Sequence, residues 1–269
     1  MGAVKSLLVA TTILLMNCSA AAQKVASANS AQPKSQSGIL VELFTSEGCS
    51  SCPPADELLR KIDAHTMPNG EAIVVLGEHV DYWEATGWHD RFSSHDYTER
   101  QQEYARRFNI SGPYTPQMVV DGSKEFVGND GRLLESALTE AATKAKAVVS
   151  ISVEDLSTSD VTLNVRVGPL PSGVKHSDLY VALADNSDET HVAGGENSGR
   201  TLHHVAAVQN LQRIGKVGPE GLEKQIRLRI PKSGNPANLR VIAYVQQPDL
   251  GAVIAAATLR LEEARKATR

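Results

Sequence analysis

Cysteine is scarce in this sequence, with three in 269 residues, at positions 18, 49 and 52. A zinc site built from paired C-x-x-C motifs needs a second pair or a spaced His pair, and neither is present. Lys/Arg blocks are also missing, and the formal net charge is −4. Nucleic-acid binding is mainly phosphate neutralisation, so an acidic chain without a basic stripe is a poor candidate for it. Aromatic residues make up only 4% of the chain. After the first two dozen residues, no apolar stretch is long enough to span a bilayer as a helix.

The N-terminus reads as an address. Lys5 supplies positive charge, Leu7 to Met16 is an uncharged apolar run, and Ala20-Ala21-Ala22 offers an A-x-A-like cleavage site. These are the parts of a secretory signal peptide, assigned to residues 1–22. Leu15-Met16-Asn17-Cys18 loosely resembles a lipoprotein box, so a lipid anchor at Cys18 is the alternative to soluble export. Residues 23–38, rich in Ala, Ser, Gln, Lys and Pro, read as a flexible tether. Without Lys5 the 27 basic residues become 26, against 31 acidic ones. Export places the protein in the periplasm or outside the cell, where disulfides persist.

Two periodicities follow. Residues 39–147 alternate short apolar runs with helical patterns. Ile39 to Phe44 and Ala72 to Leu76 read as buried strands, and Pro53-Pro54 starts a helix with Leu58, Leu59 and Ile62 inside. Ser94 to Phe108 reads as a polar helix. Gln117 to Val120 and Lys124 to Val127 flank an Asp121-Gly122 turn, and Asp130 caps a last helix. That order predicts an α/β layer domain. From residue 148 the period becomes two, as in Val149, Ile151, Val153 and in Val161, Leu163, Val165, Val167. Short alternating strands separated by turns predict an all-β, sandwich-like domain over residues 148–269.

The chemistry concentrates at Cys49-Ser50-Ser51-Cys52, between a buried strand and a helix N-terminus. Orphan N–H groups and the helix dipole favour a thiolate there. Cys49 is then the exposed attacking sulfur, and Cys52, one turn inside, resolves the mixed disulfide. Glu47 opposes thiolate formation. A structural disulfide is the competing reading, although a four-residue loop constrains the unfolded chain little. Thr115-Pro116 precedes an apolar strand. Either it is a plain strand start, or a cis bond holds the Thr115 backbone beside the cysteines for an extended partner.

The segments L-F-T-S-E-G-C-S-S-C-P-P-A-D, H-V-D-Y-W with G-W-H-D, Y-T-P-Q-M-V-V-D-G and G-E-N-S-G-R-T-L resemble a family of uncharacterised secreted bacterial proteins. The resemblance runs from about Val41 through nearly the whole mature chain. It implies a thioredoxin-like fold for residues 39–147 and a redox site, without naming a substrate. Many thioredoxin-like proteins carry a buried acid on the first strand, and Glu42 is the matching candidate for relaying the Cys52 proton. Glu42 stands seven residues before Cys49, so the loop must absorb one extra residue. The alternative is a strand-end carboxylate paired with a surface cation.

His79, Asp81, Trp83, Trp88 and His89 follow the second strand, either covering the cysteines or packing under a long loop. Adjacent side chains on a strand point to opposite faces, so His203 and His204 do not readily share one ion. Gly194 to Arg200 is a glycine-rich loop without the G-K-[ST] of a phosphate cradle. The expected function is thiol–disulfide exchange with a protein substrate, through Cys49, Cys52, Thr115, Pro116 and Glu42, with no cofactor and no resident metal. Two alternatives stand beside it. One is a periplasmic copper-delivery protein using Cys49, Cys52 and His79, since soft thiolates suit Cu(I). The other is a non-catalytic binding module with a fixed disulfide.

Overall fold

A computed structural model describes residues 34–232 and 234–267. The expected signal peptide, Cys18 with it, and most of the expected tether lie outside the described residues. The end of that tether, Lys34–Gln36, is a strand, β1.

Strand β2 (Gly38–Thr45) is buried along its whole length. It pairs in parallel with β3 (Ala72–His79) and antiparallel with β4 (Gln117–Val120), which pairs with β5 (Lys124–Val127). The sheet order is therefore β3-β2-β4-β5. Helix α1 (Pro53–Ile62) begins on prolines, whose missing N–H groups would lack an intrahelical partner anyway. Helix α2 (His95–Phe108) is capped by the Ser94 side chain, and α3 (Gly131–Ala141) by Asp130, which accepts from the Arg132 and Leu133 amides.

The rest is almost all strand: β6 (Val149–Leu156), β7 (Asp160–Val167), β8 (Ser177–Asp185), β9 (Asp188–His191), β10 (Thr201–His204), β11 (Val208–Val217), β12 (Leu222–Arg229), β13 (Leu239–Gln246) and β14 (Val253–Arg260), closed by helix α4 (Leu261–Ala267). One sheet runs β1-β6-β7-β12 and a second β11-β8-β13-β14, while β9 and β10 form a separate hairpin.

The β11-β8-β13-β14 sheet lies between the other two large sheets. Leu179, Val181, Leu183, Val241, Ala243 and Val245 share a core with Val149, Ile151, Leu163 and Val165. On the opposite face Ala182, Ala184, Ile242, Tyr244 and Ala256 share a core with Ile39, Leu40 and Val74. Small side chains on that second face let the sheets approach closely. A Cβ on Gly38 would stand 2.6 Å from the Ala256 carbonyl oxygen, so only glycine fits the start of β2.

This architecture corrects the expected fold class. The molecule is mostly β, with four sheets and four α-helices among the described residues, and not an α/β thioredoxin-like domain followed by an all-β sandwich-like one. The β3-β2-β4-β5 sheet shares a continuous core with the middle sheet, and β1, from before β2, pairs with β6 of the later half. Local periodicity identifies a half-buried strand but does not reveal what covers its second face, and here another sheet does.

Candidate functional site

The site forms where β2 ends. Cys49 and Cys52 are joined by a disulfide with a Cα–Cα separation of 5.4 Å. Cys52 is the residue before α1, and its carbonyl oxygen accepts from the Ala55 and Asp56 amides at 2.8 and 3.1 Å. Ser50 and Ser51 face solvent. Both cysteines are 0% exposed, which corrects the expectation that Cys49 is an exposed nucleophile.

The cover comes partly from the far half of the chain. The loop between β9 and β10, residues 192–200, closes on itself through Gly199 N–H donating to the Val192 carbonyl oxygen at 2.8 Å. It then crosses the cysteine loop. Fully buried Asn197 donates through Nδ2 to the carbonyl oxygens of Glu47 and Cys49, both at 2.9 Å. The Glu196 carboxylate accepts from Ser50 N–H at 3.2 Å and Ser50 Oγ at 2.6 Å. On the other side the Thr115–Pro116 peptide is cis, and Ser51 Oγ donates to the Thr115 carbonyl at 3.5 Å. Trp83 Nε1 donates to Thr115 Oγ1 at 2.7 Å, so this tryptophan braces the turn as well as packing beneath its loop.

Below the disulfide lies a set of buried ionisable groups. Glu47 is fully buried, and its carboxylate accepts from Trp88 Nε1 at 2.7 Å and contacts His204 Nε2 at 3.1 Å. Its amide donates to Asp90 Oδ2 at 2.9 Å, and the same oxygen meets His79 Nδ1 at 2.7 Å. The His79 and His204 rings meet edge-on at 4.8 Å. Burial alone would favour neutral forms here, but these partners outweigh it. Asp90 is held at about 2 by the His79 charge and hydrogen bond, with help from the Glu47 and Phe92 amides. Glu47 is lowered chiefly by its His204 contact, and His79 is raised by Asp90.

Asp56 differs from these. It lies one helical turn after Cys52, on the same side of α1, and accepts from Thr45 Oγ1 at 2.9 Å. Burial raises its pKa, against the pull of His204 and His79. A buried carboxyl with a raised pKa, one helical turn from a cysteine, is a candidate proton donor.

The residues expected from sequence divide accordingly. Cys49, Cys52, Thr115 and Pro116 come together. Glu42 does not serve Cys52, because its oxygens are committed to Arg100 Nη2 at 2.5 Å and Tyr104 OH at 2.6 Å under α2. His204 is buried against Glu47, while His203 points outward to Glu189, on opposite faces as expected for neighbours on a strand. Alternation along β10 was the signal that one of the pair faces inward. Asp56, Glu196 and Asn197 went unrecognised. Asp56 is by sequence an ordinary first-turn helix acid, and the other two are separated from the cysteines by about 145 residues of chain. Among the described residues no group of three or more His, Cys, Asp or Glu side chains is placed to hold a metal ion.

Fold and site together define a predominantly β protein with a buried C-x-x-C disulfide. No helix among its described residues is long and apolar enough to cross a membrane. The chain belongs to the family described as "Protein of unknown function (DUF1223)", which it matches over residues 40–246. It is similar to a protein from Agrobacterium tumefaciens known from a crystal structure, at 27% identity and a TM-score of 0.61, over 83% of this chain and 94% of that one. HBP35 of Porphyromonas gingivalis is 14% identical with a TM-score of 0.60, over 85% of this chain and 76% of that one, a likeness of fold alone. No curated protein matches the chain significantly.

Proposed function

We propose that the protein is exported to the periplasm or beyond, and there exchanges its Cys49–Cys52 disulfide with the thiols of a partner protein. The observation that carries this reading is the placement of Asp56, a buried carboxyl with a raised pKa, on the Cys52 face of α1. A cross-link that only staples a four-residue loop stabilises little and needs no proton source beneath it. In the exchange, a partner thiolate attacks Cys49 Sγ and the Cys49–Cys52 bond breaks. Its electron pair passes to Cys52 Sγ, which takes the Asp56 proton. The partner's second thiol then attacks the mixed disulfide, forming the partner's disulfide and releasing Cys49, and the second thiol's proton completes the balance. The Thr115–Pro116 turn flanks the path by which the partner approaches.

The complete burial of both sulfurs favours a second reading, a binding module with a fixed disulfide. Equilibration with glutathione followed by thiol trapping separates the two. A reduction potential between roughly −270 and −120 mV is the expected result, and a value below about −300 mV means a structural cross-link.

A further inference from the structure

Part of the cover over the disulfide comes from the second half of the chain and is held by few bonds. We propose that Asn197 and Glu196 are the residues that decide which thiols reach Cys49, by latching the 192–200 loop across the cysteine pair. The proposal rests on the exchange reading above and adds to it the part played by the β-rich half.

Three observations carry it. First, Asn197 is 0% exposed and reaches the disulfide loop at two points, the carbonyls of Glu47 and Cys49, while Arg200 Nη1 donates to its Oδ1 at 2.9 Å. The amide is thus oriented by its own loop and spends its donors on the cysteine loop. Second, Glu196 is exposed, yet its carboxylate takes both the N–H and the hydroxyl of Ser50, the residue between the cysteines. A partner approaching Cys49 over Ser50 has to displace that carboxylate. Third, the loop's flank makes its close contact through glycines. Gly195 has φ +68°, and a Cβ there would stand 3.1 Å from Thr86 Oγ1 and 3.2 Å from Trp88 Cβ. A Cβ on Gly194 would stand 2.7 Å from the Gly87 carbonyl oxygen. Glycines let the loop lie on the Thr86–Trp88 backbone without interlocking side chains.

The bonds that hold the lid are few and mostly at its tip, so local opening costs less than unfolding the sheets around it. A small reductant needs only a brief opening. A folded protein substrate needs the loop displaced, and must itself offer acceptors and donors to Ser50 N–H and to the Cys49 carbonyl. Selection among thiols then follows from how well a partner replaces Glu196 and Asn197.

The test follows reduction of the oxidised full chain by rising concentrations of dithiothreitol, with free thiols trapped and counted by mass spectrometry. Lid control predicts a rate that reaches a plateau set by opening. Asn197→Ala raises that plateau by about tenfold, the scale of losing two buried hydrogen bonds. Glu196→Gln, at an exposed position that leaves packing intact, gives a smaller rise and serves if the first variant does not fold. The plateau should change little in low urea, because lid opening exposes little surface. A rate that stays linear in dithiothreitol and is the same in both variants overturns the proposal. So does a plateau that climbs with urea as steeply as global unfolding. The glutathione equilibrium is read separately. A pair too reducing to exchange sinks the function reading alone, while equal rates in wild type and variants sink the lid alone.

Discussion

Strand β2 leads into two buried ionic clusters that differ in kind. Midway along the strand, Glu42 and Glu78 share a single cation, Arg100, with Nε 3.5 Å from Glu78 Oε1. Beyond its end, Glu47 and Asp90 each have an imidazole, from His204 and His79. The first cluster is closed by groups that do not exchange protons in the neutral range. Arg100 is boxed by Tyr104, by Gln246 Oε1 at 3.1 Å and by the stacked rings of Tyr180 and Tyr244. Burial, with Glu42 nearby, raises Glu78 well above the carboxylate range despite Arg100. The second cluster gives each carboxylate an imidazole partner and lies beside the cysteine loop. Burial is common to both, and what distinguishes the joint between sheets from the cysteine site is the partner chosen for each carboxylate.

The largest effect should come from breaking the first cluster. Arg100→Met leaves Glu42 buried with only Tyr104 and removes the charge that joins α2 to the middle sheet. The expected cost is about 3–5 kcal/mol, the usual scale for stranding one member of a buried pair. Urea unfolding measures it. A loss under about 1 kcal/mol would mean the joint is held by apolar packing alone.

The second cluster should respond to pH in a recognisable direction. Asp90 is held at about 2 against an ordinary 3.8. Its contribution is therefore present above about pH 4 and is lost as pH falls through about 2. The depression corresponds to about 2 kcal/mol at neutral pH. Asp90→Asn should remove that amount and flatten the acid limb of a stability–pH curve measured by thermal melting. An unchanged acid limb would separate Asp90 from His79 energetically, and the contrast between the clusters would narrow.

How far the sequence reveals these clusters depends on distance along the chain. The start of α1 at Pro53-Pro54, the Asp130 cap and the turn at Asp121 and Gly122, both with positive φ, are local signals and appear where they were expected. The layering was not legible, because the contact of β2 with β14 and the pairing of β1 with β6 join segments more than a hundred residues apart. The choice between the two readings of Glu42 was not legible for the same reason. A buried acid on a strand is visible in the sequence, but Arg100 and Gln246 arrive from elsewhere and claim it. Cys49, Cys52, Thr115 and Pro116 stood out by residue type. Asn197 and Glu196 have no distinctive chemistry until the fold lays their loop on Ser50.

The smallest expected effect is the one that bears most directly on the chemistry. Thr45 is the last residue of β2, and its hydroxyl is a donor to the Asp56 carboxyl at 2.9 Å. Thr45→Val keeps the shape and removes the donor, so the stability cost should be only about 1 kcal/mol. The hydroxyl favours the carboxylate form, and its loss should raise the already elevated Asp56 pKa further. If Asp56 protonates Cys52 as the disulfide opens, the alkaline limb of the reduction rate should then move to higher pH in Thr45→Val. A stability loss with an unmoved pH profile would make Asp56 a packing partner of Thr45 and remove it from the proton path. The site beyond β2 would then differ from the Arg100 joint in its partners but not in its use.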